Sequence, residues 1–187
     1  TSAAFQSAVR DLLRQDPKGL ILDLRNDPGG FLDTAIDVAS LWIGEEPIVK
    51  ERRQGKIIQE FKGTRAASLG AMPTVVLVNQ GSASASEIVA GALQDYGKAK
   101  LVGVKTFGKG SVQDYQSLSD GSAVKITIAE WLTPRERAIN KTGLTPDVTV
   151  ERTAEDYEAK RDPQLDRARE LLTGKPTATP TATSTKP

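Results

Sequence analysis

Three serines alternate with alanines at Ser82, Ser84 and Ser86, just ahead of a run whose apolar residues Ile88, Val89, Ala92 and Leu93 fall at helical spacing. A hydroxyl at the turn into a helix faces free main-chain N–H groups, and the helix dipole favours a developing negative charge there, so a serine nucleophile would be well served. The same residues suit plain N-capping, because serine is a preferred cap and Ser84 with Glu87 has capping-box spacing. One serine can cap while another reacts. A reacting hydroxyl needs a base, and the chain contains neither histidine nor cysteine. That excludes Ser-His-Asp triads, thiol nucleophiles, disulfides and zinc sites built on His or Cys. Hydroxyls, lysines, carboxylates and main-chain amides remain, and of these a lysine kept neutral by burial is the favoured base. Lys109 is the best placed, flanked by Gly108 and Gly110 with no acidic residue between Lys100 and Gln113; taken alone, it reads more readily as an exposed turn lysine.

Asp27-Pro28-Gly29-Gly30 follows an apolar run of strand length. Consecutive glycines there can offer free N–H groups, which builds an oxyanion site without side chains, or can simply turn the chain into a helix. Gly103 to Lys109 fits the first seven positions of a phosphate-cradling P-loop. The eighth, however, is Gly110 rather than Ser or Thr, and residues 112–118 alternate like a strand where that motif needs a helix. Nucleotide binding is a minor alternative. Asp23, Asp27, Asp33 and Asp37 have no calcium-loop spacing, and Asp23 with Arg25 reads as structural.

Periodicity supplies the elements that must hold these groups. Phe5, Val9, Leu12 and Leu13 mark a first helix stopped at Asp16-Pro17; residues 19–25 form a strand, and residues 31–43 a second helix. Residues 48–65 read as a polar, exposed hairpin about Gly55. Residues 74–78 form a buried strand, 87–96 a helix ended by Gly97, and 101–104 a third strand. Residues 112–118 and 123–131 pair antiparallel about the turn 119–122, and Asp162-Pro163 opens a last helix. Two buried strands, each feeding a turn and then a helix, define an α/β layer fold with antiparallel strands added later.

At 187 residues the chain is one domain with an appendage. Its 25 basic and 24 acidic residues leave a charge of +1, which gives no field to draw a nucleic acid or an anionic membrane. No apolar run is long enough to span a bilayer, and no signal segment is evident. The chain lacks an initiator Met and reads as a piece of a longer protein. Residues 174–187 are Thr/Pro-rich and expected to be a disordered tail after a core of residues 1–173; such composition hints at an exported protein.

The segments GLILDLRNDPGG (19–30), GSASASEI (81–88) and TFGKGSVQ (106–113), with WLTP (131–134), GLTPD (143–147) and DPQL (162–165), resemble the carboxyl-terminal processing, or tail-specific, proteases. The resemblance covers nearly everything before the tail. It implies a crotonase-like α/β fold and a serine endopeptidase that cleaves exported or envelope proteins near their C-termini, through a Ser-Lys dyad and without a cofactor. Carried onto this sequence, it makes Ser84 the nucleophile, Lys109 the general base and Gln113 the holder of the lysine amine. The main-chain amides of Gly30 and Ala85 then form the oxyanion hole. Protein or peptide substrates are the implied partners, and a homo-oligomer is allowed. The family carries a PDZ domain and an opening strand that this chain lacks, and the Thr/Pro tail departs from its pattern. The alternatives from other classes are a non-catalytic binding module or inactive fragment on the same fold and, less favoured, an acyl-CoA enzyme of crotonase type.

Overall fold

In the computed structural model, which describes residues 2–175, every residue of the strand Thr74–Val78 is buried, as a strand covered on both faces must be. In chain order the elements are α1 (Ser2–Leu13), β1 (Leu20–Asp23), α2 (Leu32–Ile43), β2 (Pro47–Arg53), β3 (Lys56–Lys62), β4 (Thr74–Val78), α3 (Ala85–Asp95), β5 (Ala99–Gly103), β6 (Ser111–Ser117), β7 (Ala123–Leu132), β8 (Val148–Thr149), α4 (Ala154–Glu158) and α5 (Pro163–Thr173). One sheet is parallel, with order β1-β4-β5-β8; the other is antiparallel, with order β3-β2-β7-β6. The expected layered α/β fold with added antiparallel strands is present.

The register of the parallel sheet sets the site. Leu20 to Asp23 lie beside Thr74 to Leu77, so β1 and β4 end level with one another and release their following turns at the same edge. One core cluster gathers Val76 and Val78 with Trp42 of α2, Ile88 and Leu93 of α3, and Ile48 and Val49 of β2. A second gathers Val75, Leu77, Val102 and Ala168, with Leu165 of α5 packed against them. Helices thus cover both faces of the parallel sheet. The Trp42 indole N–H donates to Thr74 Oγ1 at 2.8 Å, fixing α2 to the start of β4.

The hairpin expected at residues 48–65 forms, turning at Gln54 and Gly55 with φ of 48° and 78°. It is less peripheral than its polarity suggested. Of the hairpin's two strands β3 lies at an edge, whereas β2 is an inner strand with Ile48 and Val49 fully buried, because β7 pairs with its other side. The two-residue β8 and the short α4 had no periodic signal to betray them. α5 begins as expected, with Asp162 accepting from Leu165 N–H at 3.0 Å. The tail expected at 174–187 lies, from residue 176 onward, outside the described residues.

Candidate active site

The turn after β1 is held from both sides. The Arg25 guanidinium donates to Asp23 (2.7 Å), to Asp162 (2.9 Å), which caps α5, and to Gln164 (3.0 Å) on that helix. The hydrogen bond to Asp23 outweighs burial and holds the Arg25 pKa above its ordinary value. On the other side, Asn26 N–H donates to Asn79 Oδ1 and Asn79 Nδ2 donates back to Asn26 Oδ1, at 2.9 and 3.0 Å. Gly29 N–H donates to Asp27 Oδ1 at 2.9 Å, a local turn that leaves the Asp27 carbonyl to accept from Ala83 N–H at 3.0 Å. The glycine turn and the serine turn are therefore bonded to each other.

Ser82 ties the serine turn to its neighbours. Its hydroxyl donates to Leu24 O (2.7 Å) and accepts from Asn79 N–H (3.0 Å), while its carbonyl accepts from Phe107 N–H (3.0 Å) in the lysine loop. Ser84, half-buried at the mouth of α3, sits at φ 57° and ψ −119°, a backbone state that L-residues avoid. Holding a non-glycine residue there costs on the order of 1–3 kcal/mol, and such strain gathers where a side chain must be aimed. Glu87, fully buried one turn into α3, accepts from Ser84 N–H at 3.0 Å. That bond is the local cap its spacing predicted.

The same carboxylate reaches the lysine loop. Glu87 accepts from Thr106 Oγ1 (2.6 Å), Gly108 N–H (2.7 Å) and Lys109 N–H (2.8 Å). Gly108 has φ +89°, and a Cβ there would stand 2.9 Å from Gly143 N, so the loop is pressed against residues 139–143 as only glycine allows. Gly108 and Gly110 are buried while Lys109 between them is exposed.

That pattern corrects one expectation. Lys109 is not sheltered among the described residues: the two glycines pack inward and the lysine faces outward. Its amine has no hydrogen-bond or ion-pair partner among the described residues. Gln113, on β6, is likewise exposed, and no side-chain hydrogen bond joins it to Lys109 or Ser84 among the described residues. What the structure does bring together are the main chains of Ser84 and Lys109, through one carboxylate. Gly30 and Ala85 meet at a cavity of about 510 Å³, lined also by Leu22, Gly29, Phe31 and Val89. Among the described residues, neither the Gly30 nor the Ala85 N–H has an internal partner. Phe31, beside Gly30, is 83% exposed. As the alternation of 112–118 predicted, Lys109 leads into a strand, β6, so the P-loop spacing is coincidental. Ser82 and the long-range role of Glu87 were missed: one looked like part of a small-residue run, the other like a capping residue.

Comparison with known proteins gives the class first: the proteins this chain resembles are peptidases, some of them named as serine proteases. The chain belongs to peptidase family S41, whose family model matches residues 1–150. It is 47% identical over 171 residues to a carboxyl-terminal-processing protease of Synechocystis sp., a match covering 89% of this chain and 40% of the relative. It is 45% identical over 145 residues to the chloroplastic carboxyl-terminal-processing peptidase 3 of Arabidopsis thaliana, covering 77% of this chain and 28% of that one. Among solved structures, the photosystem II D1 C-terminal processing protease superposes with a TM-score of 0.76 at 40% identity, covering 80% of this chain and 39% of that one. The chain thus spans at most 40% of the length of these relatives.

Proposed function

We propose that this chain carries the catalytic core of a serine endopeptidase that cleaves proteins near their C-termini, through a Ser84–Lys109 dyad on a crotonase-like fold. The observation that supports it most is the single Glu87 oxygen accepting from both Ser84 N–H and Lys109 N–H, which sets nucleophile and base on facing backbones. In this reading Lys109, in its uncharged form, takes the Ser84 hydroxyl proton. The serine oxygen bonds to the scissile carbonyl carbon, and the carbonyl π pair moves onto its own oxygen, which accepts from Gly30 and Ala85 N–H. Collapse breaks the C–N bond, and Lys109 returns the proton to the leaving amine. Water then gives a proton to the Lys109 amine and bonds through its oxygen to the ester carbonyl carbon; collapse breaks the ester C–Oγ bond, and Lys109 returns the proton to Ser84 Oγ. Gln113 is assigned to holding the Lys109 amine, and substrate laid across the exposed Lys109 supplies the shelter that the chain alone does not.

The apolar walls that Leu22, Phe31 and Val89 give the cavity favour an apolar substrate side chain next to the scissile bond. No helix among the described residues is long and apolar enough to cross a membrane. We assign the parent protein to an exported or envelope location because of the processing proteases it resembles. A fluorophosphonate probe tests the reading. Labelling is expected at Ser84 and is expected to vanish in Ser84→Ala and Lys109→Ala. An unlabelled but folded wild-type chain would favour a binding module instead.

A further inference from the structure

We propose that Glu87 is a positioning residue for catalysis: one buried carboxylate that sets the distance between the nucleophile's turn and the base's loop. The proposal rests on the Ser84–Lys109 reading above. Glu87 is 0% exposed, and a carboxylate taken out of water is strongly disfavoured unless its lone pairs are filled. Here they are filled by donors from two separate segments: Ser84 N–H on one side, and Thr106 Oγ1, Gly108 N–H and Lys109 N–H on the other.

Helix capping explains only the first of these. The other three come from 19 to 22 residues further along the chain and do nothing for α3. Oε2 alone bridges Ser84 to Lys109, while Oε1 takes Thr106 and Gly108, so the two oxygens grip the lysine loop at three residues, 106, 108 and 109. Thr106 is braced in turn, its hydroxyl accepting from Leu144 N–H at 2.7 Å. The Lys109 side chain has no partner among the described residues, so its main chain is what fixes where the amine can reach. A carboxylate is the only side chain that presents acceptors alone in two directions. In Glu87→Gln, either orientation of the amide turns an NH₂ toward main-chain N–H groups of residues 84 and 109, or of 108 with the Thr106 hydroxyl. One edge of the clamp must then open.

The test uses the full chain and the same fluorophosphonate. For Glu87→Gln the limiting labelling rate at saturating probe is expected to fall on the order of 10²-fold, with the half-saturating concentration within about twofold of wild type. Amide hydrogen exchange gives a readout that does not need activity: Ser84, Gly108 and Lys109 N–H are expected to lose protection together. Leu165→Ala, on the far side of the parallel sheet, serves as a destabilised control and is expected to keep the wild-type limiting rate. Wild-type rates for Glu87→Gln, or an equal loss in the control, would overturn the positioning role alone. A wild-type chain that does not label at Ser84 would overturn the peptidase reading, and this proposal with it.

Discussion

Gly29 is packed against the turn that carries Ser84: a Cβ built on Gly29 would stand 2.9 Å from Ser84 Cβ, 2.5 Å from Ala83 O and 2.7 Å from Ala85 N. The glycine turn and the serine turn are thus one packed unit, and the strained Ser84 conformation is held partly by what presses on it. Gly29 also has φ +93°, where any side chain is disfavoured. Gly29→Ala is expected to lower stability by about 1–3 kcal/mol and to abolish Ser84 labelling. Denaturant unfolding with probe labelling checks both, and an unaffected chain would contradict the packing argument.

The neighbouring glycine should behave differently. A Cβ on Gly30 would meet nothing within 4 Å, and its φ lies outside the left-handed region. Gly30→Ala is therefore expected to leave stability within about 0.5 kcal/mol of wild type. Its methyl group would enter the cavity shared with Phe31 and Ala85, so probe or peptide binding is expected to weaken. Thermal unfolding and the concentration dependence of labelling separate the two effects.

Gly110 tests the support beneath the base. A Cβ there would lie 2.4 Å from Asn140 N and 2.8 Å from Ile139 Cβ, both parts of a tightly turned segment. Gly110→Ala must push the Lys109 loop outward. The expected outcome is a labelling rate reduced by tenfold or more, roughly what a 1 Å misplacement of a catalytic group can cause.

Asp95 and Arg137 predict an asymmetry. The Asp95 side chain is 3% exposed and accepts from Arg137 Nε (2.9 Å) and Arg135 N–H (2.8 Å), whereas Arg137 is 41% exposed. Arg137→Ala strands a buried carboxylate and is expected to cost about 3 kcal/mol. Asp95→Ala leaves a guanidinium that water can reach and is expected to cost less, about 1–2 kcal/mol. Equilibrium unfolding of the two variants gives the order directly.

Acid should loosen the anchor behind the glycine turn. Burial opposes ionisation of Asp162, but hydrogen bonds from Arg25 and from Leu165 N–H, with the nearby charges of Arg25 and Arg152, hold its pKa below the ordinary carboxylate value. A depressed native pKa means that the stabilisation is complete above the unfolded value of about 3.9 and is lost as pH falls through it toward the native one. Asp162→Asn is therefore expected to be less stable than wild type at neutral pH, with the gap narrowing as pH falls below the ordinary carboxylate value. A gap unchanged across that range would show that the charge contributes nothing.

Much of this architecture could be read in advance because its signals are local. The apolar run of β4, the helical spacing in α2 and α3, and the Asp162-Pro163 start of α5 each follow from a few neighbouring residues. β8 and α4 escaped notice because two and five residues carry no period. The inner position of β2 was hidden by its own polarity: Lys50, Glu51 and Arg52 look like an edge, yet pair with Leu132, Trp131 and Glu130 of β7.

The sequence by itself determined which chemistry was open to this protein, since a chain without histidine or cysteine but with a serine at a helix mouth and a glycine-flanked lysine leaves few choices. It also determined the layered α/β class, because strand and helix periods are properties of adjacent residues. Only the tertiary structure decided that Ser84 occupies a left-handed backbone, that Lys109 faces outward while its glycine neighbours pack in, and that Glu87 serves two segments at once. Those facts depend on contacts between stretches of chain about twenty or more residues apart, and the geometry of such contacts is set by packing of the whole core rather than by any local run of residues.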